Sequence, residues 1–239
     1  MSPDPVNTDD PVLGGARRAL KGLSRYHRHR VYGLEHIPAQ GPAIVAVNHS
    51  LVTYDVALLS LAHFERTGRL MRGLGDRSLF QTPFVREAAG RLGAIDADPA
   101  GALELLRQGE VVIVAPGGMR EALRTKDERY RVFWDERRGF ARLAIQAGCP
   151  VILGACPRAD DVLTSYRNPF TPAIYKRLKL PVPLARGLGP TLVPRPIALT
   201  HILRPPVAPP ADLADLHAFH RALVVEMHEL MHEARNRTW

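Results

Sequence analysis

The chain of 239 residues is long enough for one domain with a sizeable core and too short for two comfortable ones. Hydrophobic residues make up 46% of it and charged residues 23%, which is typical of a folded globular protein, and no apolar run reaches the roughly 20 residues that span a bilayer. The net charge of +8 favours anionic partners, namely membrane surfaces, nucleic acid or phosphorylated small molecules.

The N-terminal part of the chain divides into a polar stretch and a basic helix. Residues 1–11 are acidic and polar, lack the pattern of a signal peptide, and are predicted to be disordered. Residues 12–30 are predicted to form an amphipathic helix, because apolar residues recur at helical spacing with basic ones between them. Such a helix either lies on an anionic membrane or packs on its own domain with a solvated basic face.

Predicted strands and helices then alternate along the chain. The predicted strands are 43–47, 70–74, 111–115 and 150–155, and the predicted helices are 54–66, 78–91, 98–109 and 137–147. This alternation indicates a single α/β domain with a mostly parallel central sheet flanked by helices. Residues 157–210 are rich in proline and are expected to be irregular apart from one or two strands, of which 197–202 is the best candidate. A final helix with one apolar stripe is predicted from Asp212 onwards.

Two polar clusters follow predicted strands. His49 comes directly after the apolar run AIVAV, and Asp55 begins the next helix. The other cluster follows the strand at 111–115. Because ligands bind beyond the carboxyl ends of parallel strands, both clusters are expected at the same edge of the sheet. A histidine can take a proton from a hydroxyl near neutral pH, and a carboxylate on its other ring nitrogen would fix the tautomer. No serine or cysteine has the G-x-S-x-G pattern of a covalent nucleophile, so the attacking hydroxyl is expected to belong to the substrate.

The second cluster, PGGMRE, follows the strand at 111–115. Gly117 and Gly118 are expected to let the backbone approach a ligand with its N–H groups, and Arg120 would supply positive charge for a phosphate or an oxyanion. Glu121 completes the block. Arg77 is a weaker candidate for the same electrostatic role.

The last predicted helix contains a competing motif. His228, Glu229 and His232 form H-E-x-x-H, a zinc-hydrolase signature. Catalytic zinc needs a third protein ligand, and the residues after His232 contain Glu233 but no histidine. A surface helix is therefore the favoured interpretation, and no metal or cofactor is expected. The two cysteines, Cys149 and Cys156, are interpreted as buried thiols in a reducing cytoplasm.

Taken in order, these residues resemble the glycerolipid and lysophospholipid acyltransferase superfamily. The shared features are N-H-x5-D after an apolar strand, the Gly-Gly-x-Arg-Glu block after another, and the segment YRVFWDERRGFARLAIQAGCPVI. The resemblance covers roughly residues 28–208, and the nearest branch is that of the diacylglycerol-acyltransferase-like proteins that include plant phytyl ester synthases. It implies that residues 31–239 form the acyltransferase domain.

The resemblance also implies an activity and its partners. The donor would be acyl-CoA or acyl carrier protein, and the acceptor a lipid hydroxyl. His49 would be the base, Asp55 its partner, and the block at 117–120 would bind a phosphate. Separately, the basic helix at 12–30 and the net charge predict a cytoplasmic protein that is peripheral on the inner face of the membrane.

Two departures from the common pattern bear on the acceptor. Five residues separate His49 from Asp55 where four are usual, and Gly117 stands where E-G-T-R has its glutamate. Both departures resemble the neutral-lipid branch and favour diacylglycerol, monoacylglycerol or a long-chain alcohol. A thioester hydrolase on the same fold remains the alternative. A binding module without catalysis is disfavoured, and nucleic acid is disfavoured because the basic residues are scattered and aromatics are only 6%.

Overall fold

The structure is a computed structural model, and it describes residues 10–75, 87, 89–96, 98–166 and 184–237. The helices are α1 (Pro11–Tyr26), α2 (Tyr54–Thr67), α3 (Pro99–Arg107), α4 (Gly118–Ala122), α5 (Gly139–Ala147), α6 (Ala159–Val162) and α7 (Leu216–Asn236). The strands are β1 (Arg30–Tyr32), β2 (Ala43–Val47), β3 (Arg72–Gly75), β4 (Ile95–Asp96), β5 (Val111–Val114), β6 (Val151–Ala155), β7 (Thr164–Tyr166), β8 (Leu184–Arg186) and β9 (Thr200–Leu203).

Within these ranges, seven strands form one sheet in the order β1-β9-β6-β2-β5-β3-β4. All neighbours are parallel except β6 and β9, which run antiparallel. The three central strands are apolar and buried, as expected of strands that are covered on both faces. The mostly parallel α/β domain predicted from the alternation is therefore confirmed.

Helices cover both faces of the sheet. On one face α3, α5 and α7 pack on alternate side chains of the central strands, among them Ile44 and Leu153, around the buried Trp134. On the other face Val45 and Ile152 pack with Leu59 of α2, and α1 lies against α2. Each central strand thus contributes to two hydrophobic cores, which fixes its register.

The predicted helix at 12–30 is too long. Helix α1 ends at Tyr26, because His27 is buried and donates from Nδ1 to the carbonyl of Ile197 at 2.8 Å. Arg30 then pairs in parallel with Thr200 and starts a strand. This pairing depends on a segment far away in the sequence, so helical periodicity could not reveal it.

Other predicted elements need smaller corrections. Strand β3 begins at Arg72 rather than at 70, and β9 occupies 200–203 rather than 197–202. The segment at 157–210, predicted to be irregular apart from one or two strands, contains α6 and the two-stranded ribbon of β7 and β8 in addition to β9. Most of the predicted helix at 78–91 lies outside the described residues.

Candidate active site

The carboxyl ends of β2, β5 and β6 meet at one edge of the sheet. β2 lies between the other two in parallel register. Oδ1 of Asn48 accepts a hydrogen bond from the backbone N–H of Cys156 at 2.7 Å, which joins the ends of β2 and β6. The prediction that the two polar clusters share this edge is confirmed, since Glu121 contacts His49 directly.

The imidazole of His49 has a defined tautomer. Its Nδ1 lies 2.9 Å from the backbone oxygen of Ser50. A carbonyl oxygen can only accept a hydrogen bond, so Nδ1 carries the proton of the neutral ring and Nε2 keeps its lone pair. Burial lowers the pKa of His49, and the nearby positive charge of Arg124 lowers it further. His49 is therefore held in the neutral form that can accept a proton at neutral pH.

The Asp55 carboxylate contacts Ser50, and not the imidazole as the sequence had suggested. Oγ of Ser50 donates to Oδ1 of Asp55 at 2.7 Å. Ser50 thus links the two residues, because its carbonyl holds His49 while its hydroxyl is held by Asp55. Asp55 is completely buried, and this burial raises its pKa to about 6.

Two other buried side chains, Cys156 and His201, lie next to Asp55. Ligand atoms of Asp55, Cys156 and His201 are all within 4.8 Å of one another. Nδ1 of His201 shares a hydrogen bond with Nε2 of His29 at 2.9 Å. Within the described residues, Oδ2 of Asp55 has no hydrogen-bond partner. Burial raises the pKa of the Cys156 thiol well above its usual value, so Cys156 is a buried neutral thiol as expected.

Glu121 positions the backbone of His49. Its Oε2 accepts from the N–H of His49 at 3.0 Å, and its Oε1 accepts from the N–H of Phe133 at 3.2 Å. The side chain reaches this place by folding over Gly117, where a Cβ atom would lie 2.2 Å from Oε2 of Glu121. Gly117 is therefore required by the approach of Glu121, a reason that the sequence pattern did not suggest.

Arg124, which sequence analysis missed, holds the other side of the same peptide. Its Nη2 donates to the carbonyl of His49 and its Nη1 to the carbonyl of Arg131. Its Nε lies 3.4 Å from a carboxylate oxygen of Asp160, and Nη1 lies 4.0 Å from Oε1 of Glu121. All three charged side chains are buried. The catalytic candidate is thus held through its own N–H and C=O by a buried ion pair.

The remaining residues of the predicted cluster have other partners. Arg120 binds both carboxylate oxygens of Glu128, at 2.6 and 3.3 Å, and its guanidinium carbon lies 4.0 Å from the ring centroid of Phe133. The N–H of Gly118 donates to the carbonyl of Ala115 at 3.0 Å, so it is not free for a ligand as predicted. Arg77 lies outside the described residues.

The guanidinium group of Arg137 lies next to the turn that contains Gly117 and Gly118. Gly118 has a φ of +51°, and a Cβ atom there would lie 3.4 Å from Nη1 of Arg137. Within the described chain, Arg137 forms no ion pair, and its side chain is exposed. Its position makes it a better candidate than Arg120 for binding an anionic group at this edge. The run of basic residues around Arg137 gave no signal that could single it out.

A large apolar cavity begins beside the site. Its volume is about 450 Å³, and it lies between α1, α2 and the sheet. Described residues that line it include Leu13 and Leu20 of α1, Val56 and Phe64 of α2, and Met71. Thr53 also lines it, and the N–H of Thr53 donates to Oγ of Ser50 at 3.3 Å, so the cavity reaches the turn that follows His49. Its size and apolar lining suit a hydrocarbon chain.

The H-E-x-x-H motif lies far from this arrangement. His228 and His232 are exposed on α7. Where the chain is described, neither belongs to a group of three potential metal ligands. Nδ2 of Asn236 lies 3.1 Å from Nε2 of His232. The structure thus favours the interpretation as a surface helix.

Comparisons with known proteins identify the family of the chain. Residues 28–153 match the model of the Acyltransferase family. The human protein named DGAT1/2-independent enzyme synthesizing storage lipids is 34% identical over 143 residues, which are 58% of this chain and 44% of that protein. Phytyl ester synthase 2, chloroplastic, of Arabidopsis thaliana is 27% identical over 139 residues, which are 55% of this chain and 20% of that protein. The chain spans less than half the length of these relatives.

A solved structure shares the fold. The crystal structure of the 1-acyl-sn-glycerophosphate acyltransferase PlsC from Thermotoga maritima superposes with a TM-score of 0.57 at 19% identity. The superposition covers 94% of this chain and 84% of that one.

Proposed function

Because the chain belongs to the acyltransferase family, we propose that it transfers a fatty acyl group from an acyl thioester to a lipid hydroxyl, with His49 as the general base. One observation carries the proposal. The structure holds the imidazole of His49 with Nε2 unprotonated, and an apolar cavity that suits an acyl chain reaches Thr53 in the turn that follows it.

The chemistry follows from this tautomer. Nε2 of His49 takes the proton of the acceptor hydroxyl while the hydroxyl oxygen attacks the thioester carbonyl. The tetrahedral intermediate then collapses, the carbon–sulfur bond breaks, and the thiolate takes the proton back from Nε2. The carbonyl of Ser50 keeps the ring oriented throughout, and Asp55 holds Ser50 in place. The role of Asp55 is therefore positioning, through Ser50. The chain's own side chains suffice for these proton transfers, so no metal or other cofactor is proposed.

The proposed substrates follow from the shape and charge of the site. The cavity between α1 and α2 would hold the fatty acyl chain, and Arg137 would bind a phosphate of coenzyme A or of the carrier-protein arm. A neutral-lipid acceptor, such as diacylglycerol, monoacylglycerol or a long-chain alcohol, is favoured because Gly117 replaces a glutamate and five residues separate His49 from Asp55. The two curated relatives, named for storage lipids and phytyl esters, support this choice.

The substrates would be taken from a membrane surface. Among the described helices, none is both long and apolar enough to cross a bilayer. Helix α1 carries exposed basic side chains, among them Arg18 and Arg25. We therefore place the protein, as part of the same proposal, on the cytoplasmic face of the membrane.

Free-thiol release from long-chain acyl-CoA tests the proposed reaction. The acceptors to compare are diacylglycerol, a fatty alcohol, lysophosphatidate and none. We expect release that increases with a neutral acceptor, together with the corresponding ester product. Equal release without any acceptor would identify a thioester hydrolase instead. Release that only lysophosphatidate stimulates would contradict the neutral-lipid acceptor.

The proposed role of Arg137 can be distinguished from a non-specific effect of removing a positive charge. Arg137→Ala should raise KM for acyl-CoA by on the order of tenfold, because one charge-assisted contact with a phosphate is lost, and should leave kcat nearly unchanged. The matched control is Arg142→Ala, which removes an exposed arginine from α5. An unchanged KM in the Arg137 variant, or an equal rise in the control, would exclude the assignment.

A further inference from the structure

A compact turn, residues 184–194, displays apolar side chains to solvent. Leu192 is 66% exposed and Leu188 54%, and Leu184 and Val193 are also more than half exposed. Isolated exposed leucines are ordinary, but four large apolar side chains within ten residues form a patch. We call residues 184–194 the apolar turn.

The apolar turn is held in shape by its own backbone. The N–H of Gly187 donates to the carbonyl of Thr191 at 2.6 Å, and the N–H of Leu188 donates to the carbonyl of Val193 at 2.8 Å. A Cβ atom on Gly187 would lie 1.9 Å from the carbonyl oxygen of Val193, so only glycine allows this close approach. The leucines therefore project from an ordered turn.

The base of the turn is fixed to the domain at two places. The hydroxyl of Tyr26, at the end of α1, donates to the carbonyl of Pro194 at 2.6 Å. Arg195 donates from Nη1 to the carbonyl of Asp161 at 2.8 Å, and its backbone N–H bonds to Val162 of α6. Asp160, at the start of the same helix, binds Arg124 of the candidate site. The turn is thus joined to the edge of the sheet that carries His49.

Basic residues lie within the apolar turn and next to Tyr26, which contacts its base. Arg25 and Arg28 flank Tyr26 in the sequence, and Arg186 lies within the turn itself. All three are exposed, and in the described part of the chain none of them forms an ion pair with a carboxylate. An apolar tip with a cationic rim is complementary to an anionic bilayer, whose headgroups attract the arginines while the leucines enter the acyl boundary. A second copy of this chain, also of charge +8, would not be complementary to that rim.

We propose that the apolar turn inserts into the interfacial region of an anionic membrane, with Arg25, Arg28 and Arg186 at the headgroups. This inference names the membrane-contacting element for the proposed function. It places a second contact beside α1, so that the bilayer meets the domain near the edge with the active site.

Co-sedimentation of the full chain with vesicles, in the absence of any substrate, tests the proposal. The vesicles are phosphatidylcholine with phosphatidylglycerol, and phosphatidylcholine alone. We expect wild type to bind the anionic vesicles, and the Leu188→Ser/Leu192→Ser double variant to bind them on the order of tenfold more weakly. Arg25→Gln/Arg28→Gln should weaken binding to the anionic vesicles. The matched control is Val225→Ser, since Val225 is 57% exposed on α7.

Several outcomes would overturn the proposal. Binding of the double leucine variant equal to wild type would show that α1 alone makes the contact. Loss of binding in the Val225 control as well would make the effect unspecific. Wild-type dimers that the leucine substitutions dissociate would assign the turn to a protein interface. Turnover of a soluble short-chain acyl thioester, measured on the same variants, should stay at the wild-type level, so failure of vesicle binding and failure of acyl transfer are separate results.

Discussion

His49→Gln should lower the rate of acyl transfer by on the order of 10²–10⁴, the usual contribution of a general base. Glutamine leaves the contacts of residue 49 with Glu121 and Arg124 in place, because both are made to the main chain. The fold should therefore be preserved while Nε2, the proton acceptor, is lost. Steady-state kinetics of ester formation, with circular dichroism as the check on folding, measure the effect.

The matched control for this experiment is His228→Gln. His228 is an exposed histidine on α7 and belongs to the H-E-x-x-H motif, so its replacement should leave activity unchanged. Loss of activity in the control together with full activity of His49→Gln would replace the proposed mechanism with the zinc-hydrolase alternative.

The pH dependence of kcat/KM follows from the same residue. Only neutral His49 can accept the proton, so the rate should fall as the pH is lowered through the pKa of His49. Burial and Arg124 lower that pKa from 6.5, so the midpoint of the acid limb should lie below pH 6.5. An acid limb centred well above that value would show that another group, or a charged imidazole, controls the rate.

Arg124→Leu should be the most damaging change for stability near the site. It would leave the buried carboxylates of Glu121 and Asp160 without their cation, and three backbone carbonyls without their donor. Breaking a buried ion pair from one side typically costs about 3–5 kcal/mol of the free energy of unfolding. Denaturation by urea measures this loss, and the matched control is Arg120→Leu. Arg120 forms an ion pair at 46% side-chain exposure, so its loss should cost no more than about 1 kcal/mol.

A second variant keeps the hypothesis testable if Arg124→Leu fails to fold. Arg124→Lys retains the positive charge but lacks the planar fork that reaches the carbonyls of His49 and Arg131 together. We expect partial stability and a reduced kcat, with the acid limb of the pH profile close to that of wild type. Any folded Arg124→Leu protein should show this limb at higher pH, since the charge that lowers the pKa of His49 is gone. Wild-type stability of both variants would contradict the proposal that the buried Arg124 side chain holds the backbone of His49 in place.

The sequence was informative wherever a property is local. Strand β2 and the histidine after it could be identified because an apolar run followed by a polar turn is a short-range pattern. Their common edge with the Gly117 block followed from the rule for parallel sheets. In the same way, the buried cysteines followed from the apolar residues around them.

Long-range contacts could not be predicted in this way. Arg124 is one of 32 basic residues, and only the fold shows that its guanidinium is buried against His49. The proposed contact of Asp55 with the imidazole rested on spacing alone, whereas the side chain of Ser50 lies between them. Similarly, Arg120 looked free until the structure placed Glu128 against it.

The position of β1 has a consequence for how the chain assembles. Its neighbour in the sheet is β9, and His27 just before it bonds to Ile197, 170 residues later. During synthesis, β1 emerges long before β9, so it lacks its partner strand until the segment between them has been made. Closing so long a loop carries an entropic cost that precedes any gain from pairing. The edge of the sheet formed by the first strand of the chain is therefore expected to be among the last to assemble.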